Sequence, residues 1–176
     1  MKNAINLVSI LAFLTACSPD ENVSSALIYK NNMDGVHAWT EKHPANFIRT
    51  EVAYSGLYVC KVNIESPYST TFYMKIGDLS SKTIKKLKVS GWIQVPDMNA
   101  QANLVVDFLD QNRQSFDYIA KNCRDELKAA NKWVKITNEI NLTGQRVNPE
   151  NFIKVYFTNN AQQPLLVDDM IVEFED

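Results

Sequence analysis

The chain holds three cysteines and two histidines, the residue types that most often bind zinc or serve a nucleophilic centre. Their spacing removes most of the chemistry such residues perform. No Cys-x-x-Cys pair and no His/Cys cluster has the spacing of a zinc site. His37 and His43 lie in a loop-like stretch ending in His43-Pro44, and nothing accompanies either at the spacing of a Ser/His/Asp centre. Glycoside cleavage needs two carboxylates about 5–9.5 Å apart, and no motif marks such a pair. The chain is therefore expected not to be an enzyme. Cys17 is placed differently. It directly follows Leu14-Thr15-Ala16, the small-residue end of an apolar run that begins at Ile5, behind Met1-Lys2-Asn3. A basic start, a short apolar run and a small-residue site make a secretory signal, too short to span a bilayer.

The cysteine at that position makes the segment resemble a bacterial lipoprotein signal. The resemblance implies cleavage before Cys17, with lipid on the new N-terminus. Residues 1–16 would then be the signal peptide and residues 17–25 the lipidated Cys and a polar tether. Residues 26–176 would form one domain in the cell envelope, held to a bacterial membrane only by its acyl chains. Asp20-Glu21, close behind the cysteine, resembles a lipoprotein surface-export signal, which would place the protein at the outer membrane or cell surface. Lys2 leaves with the leader, so 17 basic residues face 20 acidic ones and the mature charge is −3. No Lys/Arg cluster makes a nucleic-acid footprint. Cys60 and Cys123 remain, and an oxidising compartment is compatible with a bridge between them. Against it, Cys60 falls in the series Tyr58, Cys60, Val62, Ile64, where it reads as a small inward hydrophobe.

The elements that must position any site are strands. Apolar residues recur at alternate positions through 26–29, 57–64, 72–76 and 84–95. The same pattern returns in Leu104-Val106-Phe108, Phe116-Tyr118, Val134-Ile136-Ile140, Ile153-Val155-Phe157 and 165–174. Turn residues punctuate them, and only 124–130 has the composition of a helical turn or two. Many short alternating strands without interleaved helices predict an all-β, two-sheet antiparallel sandwich. Its core should include Val89, Ile93, Val106, Ile136, Val155 and Val172.

Five segments in order carry a second resemblance: 31–39, running from Asn31-Asn32 to Trp39; Ala53-Tyr54-Ser55-Gly56-Leu57-Tyr58; Val89-Ser90-Gly91-Trp92-Ile93-Gln94-Val95; Lys132-Trp133-Val134-Lys135-Ile136; and 166–174 with Asp168-Asp169. Together the order is similar to that of a jelly-roll carbohydrate-binding module of the galactose-binding-like group. The resemblance implies glycan as the partner. Sugar faces stack on aromatic rings flanked by groups that bond hydroxyls, and the alternation picks out candidates. With Val89, Gly91, Ile93 and Val95 inward, Trp92 and Gln94 point out. By the same argument Tyr73, Asp107, Lys154 and Tyr156 point out. A protein partner in the envelope, docked on the same outward aromatics, is the alternative. Trp133 reads as structural. No cofactor is required, although the resemblance implies a structural calcium near Asp169, Asp168, Asp34 and Asn32. The pair Asp168-Asp169 also reads as a β-bulge, because the inward series passes from Leu165 and Val167 to Met170, Val172 and Phe174.

Overall fold

A computed structural model describes residues 26–35, 39, 46–79 and 83–176. The leader, Cys17, the tether, His37 and His43 lie outside the described residues. Among those described, ten strands form two antiparallel sheets. The strands are β1 (Leu27–Asn31), β2 (Phe47–Arg49), β3 (Tyr58–Val62), β4 (Phe72–Lys75), β5 (Lys86–Gln94), β6 (Ala102–Leu109), β7 (Ser115–Asn122), β8 (Val134–Asn141), β9 (Phe152–Asn159) and β10 (Leu165–Glu175). One sheet runs β2-β3-β10-β5-β8, with β1 also paired to β10; the other runs β4-β9-β6-β7. We call them the β10 sheet and the β9 sheet.

Alternation sets the core. Val89 and Ile93 on β5, Val106 on β6, Ile136 on β8, Val155 on β9 and Val172 on β10 are all fully buried, as their inward positions require. The two inner faces interlock closely. A Cβ on Gly91 would lie 2.7 Å from Cε2 of Phe157 in the opposite sheet, so only glycine lets β5 and β9 approach this far. Trp39 packs edge-on to Phe72 and belongs to the same core. Cys60 and Cys123 are buried and unbridged, and burial pushes both thiols up to about 12. They are inert packing residues.

The bulge is present. Asp168 pairs with Trp92 and Ile171 with Ser90, so β10 spends one more residue than β5 between those pairs, and Asp169 takes φ 43°. One edge of β10 changes partner at this point: Leu165–Val167 pair with β3 and Met170–Phe174 with β1.

The structure departs from the sequence pattern, or adds to it, at three places. Residues 124–130 form turns rather than a helix. Strand β2, only three residues long, gave no alternation to read. On β7 the alternating apolar pair Phe116 and Tyr118 faces out, while Asp117, Ile119 and Lys121 face in. This edge strand tolerates polar inward groups because each finds a partner. Arg146 Nε donates to Asp117 Oδ2 at 2.6 Å, and Lys121 Nζ donates to the Thr137 carbonyl at 2.7 Å and pairs with Glu126 at 2.8 Å. These contacts close the open side of the sandwich between β7 and β8.

Candidate ligand-binding face

The six outward candidates do not share one surface. Trp92 and Gln94 lie on β5 in the β10 sheet, whereas Tyr73, Asp107, Lys154 and Tyr156 lie on β4, β6 and β9 in the other. Trp92 therefore cannot stand beside Tyr73 and Tyr156 as one aromatic platform. Alternation tells inside from outside but not which sheet a strand joins.

On the β10 sheet, residues 50–57 fold over the outer surface. Tyr54 stacks on Trp92, with ring centroids 3.9 Å apart and planes at 16°, and meets Trp133 edge-on at 6.0 Å. Trp133 Nε1 donates to the Val52 carbonyl at 2.9 Å. The bulge fastens this cover. Asp168 Oδ2 accepts from the Tyr54 and Ser55 amides at 3.0 and 3.1 Å, and Asp169 Oδ1 accepts from the Ser55 hydroxyl at 2.9 Å. Burial pushes the Asp168 carboxyl up to about 6, against the opposite pull of the backbone N–H groups it accepts from. Gly56 is required here: it has φ +59°, and the space of its absent Cβ holds the Asp34 carboxylate. Asp34 Oδ1 in turn accepts from the Leu57 and Tyr58 amides at 2.7 and 3.1 Å. Gln94 is buried.

The four residues considered for calcium are thus turned to other work. Asp34 and Asp168 face backbone N–H donors, Asp169 holds a hydroxyl, and Asn32 Oδ1 accepts from the Asp34 amide at 3.4 Å. N–H groups aimed at a carboxylate take the positions where a cation would need further oxygens, of which calcium needs six to eight. Among the described residues no group of three or more His, Cys, Asp or Glu side chains converges as a metal cage would. The residues present do not fit the ion.

The β9 sheet carries the open face. Cross-strand register sets Tyr73, Lys154, Asp107 and Tyr118 in one row, and Tyr156, Val105 and Ala120 in the next. Val105, Asp107 and Leu109 point outward from the central strand β6 and are nevertheless buried, forming a floor between taller neighbours. Asp107 Oδ1 accepts from the Ser115 hydroxyl at 2.5 Å. On one side Tyr68 meets Tyr156 edge-on at 5.5 Å, and these two with Thr71 and Lys154 line a cavity of about 430 Å³. Burial, first, and then the neighbouring Tyr118 and Asp107 push the Tyr156 phenol above its ordinary range. Beyond the cavity Tyr73 and Phe152 stack at 5.5 Å and 14°. Lys154 Nζ sits 5.6 Å over Tyr73, and the Arg113 guanidinium 5.8 Å over Phe152.

Three participants were missed from the sequence. Tyr118 belongs to an alternating pair that the sequence gives no side to, Tyr68 lies outside the named strands, and Arg113 comes from the β6–β7 hairpin. That hairpin is tied by Asp110, whose Oδ1 accepts from the Asn112 and Gln114 amides, and it holds Arg113 at φ 64°. Asp-Gln-Asn before an arginine is a readable turn signal, but it does not say where the guanidinium goes.

No family model matches the sequence, and no curated protein matches it. Solved structures do match the fold. The CBM22-1 xylan-binding domain of Paenibacillus barcinonensis Xyn10C superposes with TM-score 0.56 at 15% identity, over 87% of this chain and 97% of that one. The xylan-binding module CBM15 gives TM-score 0.54 at 9% identity, over 85% of this chain and 97% of that one. At these identities the likeness establishes the jelly-roll sandwich.

Proposed function

We propose that the protein is a lipid-anchored, non-catalytic glycan-capture protein of the bacterial envelope, binding on the outer face of its β9 sheet. The observation that carries the reading is the cavity beside Tyr68 and Tyr156, on a face where Tyr68 and Tyr118 are 57% and 56% exposed. Exposed rings next to a polar-lined hollow are what a sugar needs: a flat apolar surface for its C–H face, with hydroxyl partners alongside. Thr71, Lys154 and Tyr156 supply those partners at the cavity wall. The xylan-binding solved structures of the same build support glycan as the ligand class. The Cys17 resemblance supports the anchor, and the Asp20-Glu21 resemblance supports a place at the outer membrane or cell surface. Tethered by acyl chains, the domain would keep polysaccharide at the membrane without entering it.

The test uses the full-length precursor and its Cys17→Ser variant, expressed in bacteria. The unaltered chain is expected in the membrane fraction and the variant in the soluble fraction. Both should be retarded in native gels containing xylan or another plant or bacterial polysaccharide. Membrane retention of the variant after a high-salt wash would contradict the anchor. Free migration through every polysaccharide would contradict capture, and retention of an envelope protein by the same face would favour the adhesion alternative.

A further inference from the structure

The middle of the open face is filled rather than grooved. Val105 points outward from β6, a central strand of the β9 sheet, yet it is fully buried. Its cross-strand neighbours are Tyr156 on β9 and Ala120 on β7, and Ala120 is too small and too exposed to cover it. The cover comes from Tyr156 and from Tyr118, one diagonal step away on β7, a separation that aromatic side chains span. The two phenols meet as hydrogen-bond partners, although their strands stand on either side of β6, about 10 Å apart. Asp107, the direct partner of Tyr118, is buried as well.

The cavity therefore lies off-centre, toward β4. Tyr156 walls it from the middle of the sheet, and the Tyr118 phenol stands behind that wall. Along β9, Lys154 lies to one side of Tyr156, and Tyr68, paired with Thr158, lies to the other. Thr71, one step before Phe72 and so level with Tyr156, is the smallest of the four lining residues. Among the described residues β4 pairs only with β9, so the sheet ends there. A ligand in the cavity has a way out over Thr71 and the sheet edge, and paired rings stand opposite that exit.

An interior unit of a polysaccharide carries glycosidic bonds on two sides and needs two exits, whereas a terminal unit needs one. We infer that the cavity takes the end of a glycan chain, as a terminal sugar or short oligosaccharide, and not an interior stretch of polysaccharide. The inference rests on the glycan-capture reading above. The volume of about 430 Å³ lies toward the lower end of small-molecule sites, about 300–1,000 Å³, and suits a short ligand. Tyr68 offers the exposed ring. The Thr71 hydroxyl and the Lys154 ammonium meet the free hydroxyl that a chain end bears where an interior unit has a glycosidic bond.

The experiment is calorimetric titration of the full chain in detergent with xylan, mannan, galactan and β-glucan, each intact and partially hydrolysed, at equal sugar mass. For a polysaccharide that binds, about tenfold more chain ends should raise the apparent affinity per mass about tenfold, equivalent to about 1.4 kcal/mol. Thr71→Phe, which fills the cavity, should abolish binding of both forms. Phe116→Ala, on β7 beyond the paired tyrosines, should leave binding unchanged, with the folding of both variants checked by thermal melt. Affinity per mass that ignores the number of ends overturns the inference and leaves glycan capture standing. So does an intact polymer that binds while its short fragments do not, and these two comparisons decide on the unaltered chain even where Thr71→Phe melts early. End-dependent binding that survives in a folded Thr71→Phe overturns the assignment to this cavity, as does lost affinity in a folded Phe116→Ala. Absence of binding to either form of all four overturns glycan capture itself.

Discussion

The two outer faces of the sandwich begin alike and end differently. Each is made by strands whose inward residues are mostly apolar, the phenylalanines Phe72, Phe108, Phe157 and Phe174 among them, and whose outward residues include further aromatics. On the β10 sheet residues 50–57 lie across the surface, and Trp92 is stacked under Tyr54. On the β9 sheet the rings stand in the open around a buried floor of Val105, Asp107 and Leu109. An outward aromatic is thus a binding candidate only when no other segment of the chain returns to cover it. What decides the matter here is the bulge, where Asp168 and Asp169 turn their carboxylates to the amides and hydroxyl of Tyr54 and Ser55.

The largest effect expected from breaking this asymmetry is on stability. Trp92→Ala removes the ring on which Tyr54 rests and should cost about 2–4 kcal/mol, below or within the range of a buried aromatic truncation because Trp92 is half-buried. Urea unfolding measures it. A cost under about 0.5 kcal/mol, the range of ordinary surface substitutions, would mean that the cover contributes nothing.

A smaller effect comes from the fastening carboxylate. Asp168→Asn places an N–H₂ among backbone N–H donors and should cost about 1–3 kcal/mol. It should also change the pH dependence. The folded pKa of Asp168 is raised from 3.8 to about 6. Between those values the folded chain holds a proton that the unfolded chain has released, so this group's contribution favours folding most below pH 3.8 and declines as pH rises through about 6. Above that it is constant. Comparison of melting temperatures of the two chains from pH 4 to 7 should show the decline in Asp168 and its absence in the asparagine variant. Identical slopes would contradict the shift.

The alternation rule explains which of these features the sequence made legible. It placed the six core residues from Val89 to Val172, and the break between Val167 and Met170 located the bulge. It put Tyr73, Lys154 and Tyr156 on the outside. It failed where tertiary partners override pattern: Asp117 and Lys121 face inward because Arg146, Glu126 and the Thr137 carbonyl meet them from other elements. It was silent on sheet membership, which is set by long-range pairing, and so merged Trp92 with Tyr156. Tyr68 and Arg113 lie on connections, whose paths carry no periodicity at all.

The smallest change is the most direct test of where ligand binds. Tyr68 is among the most exposed rings of the open face and packs edge-on to Tyr156. Calorimetric titration of a retained polysaccharide should be run against Tyr68→Ala and Trp92→Ala in parallel, each with its thermal melt. Tyr68→Ala should weaken binding by about 1 kcal/mol, severalfold in affinity, and leave the melting temperature unchanged. Trp92→Ala should lower the melting temperature and keep the affinity of the chain that remains folded. The reverse pattern, with affinity lost at Trp92 and kept at Tyr68, would move the site to the covered sheet and contradict the account.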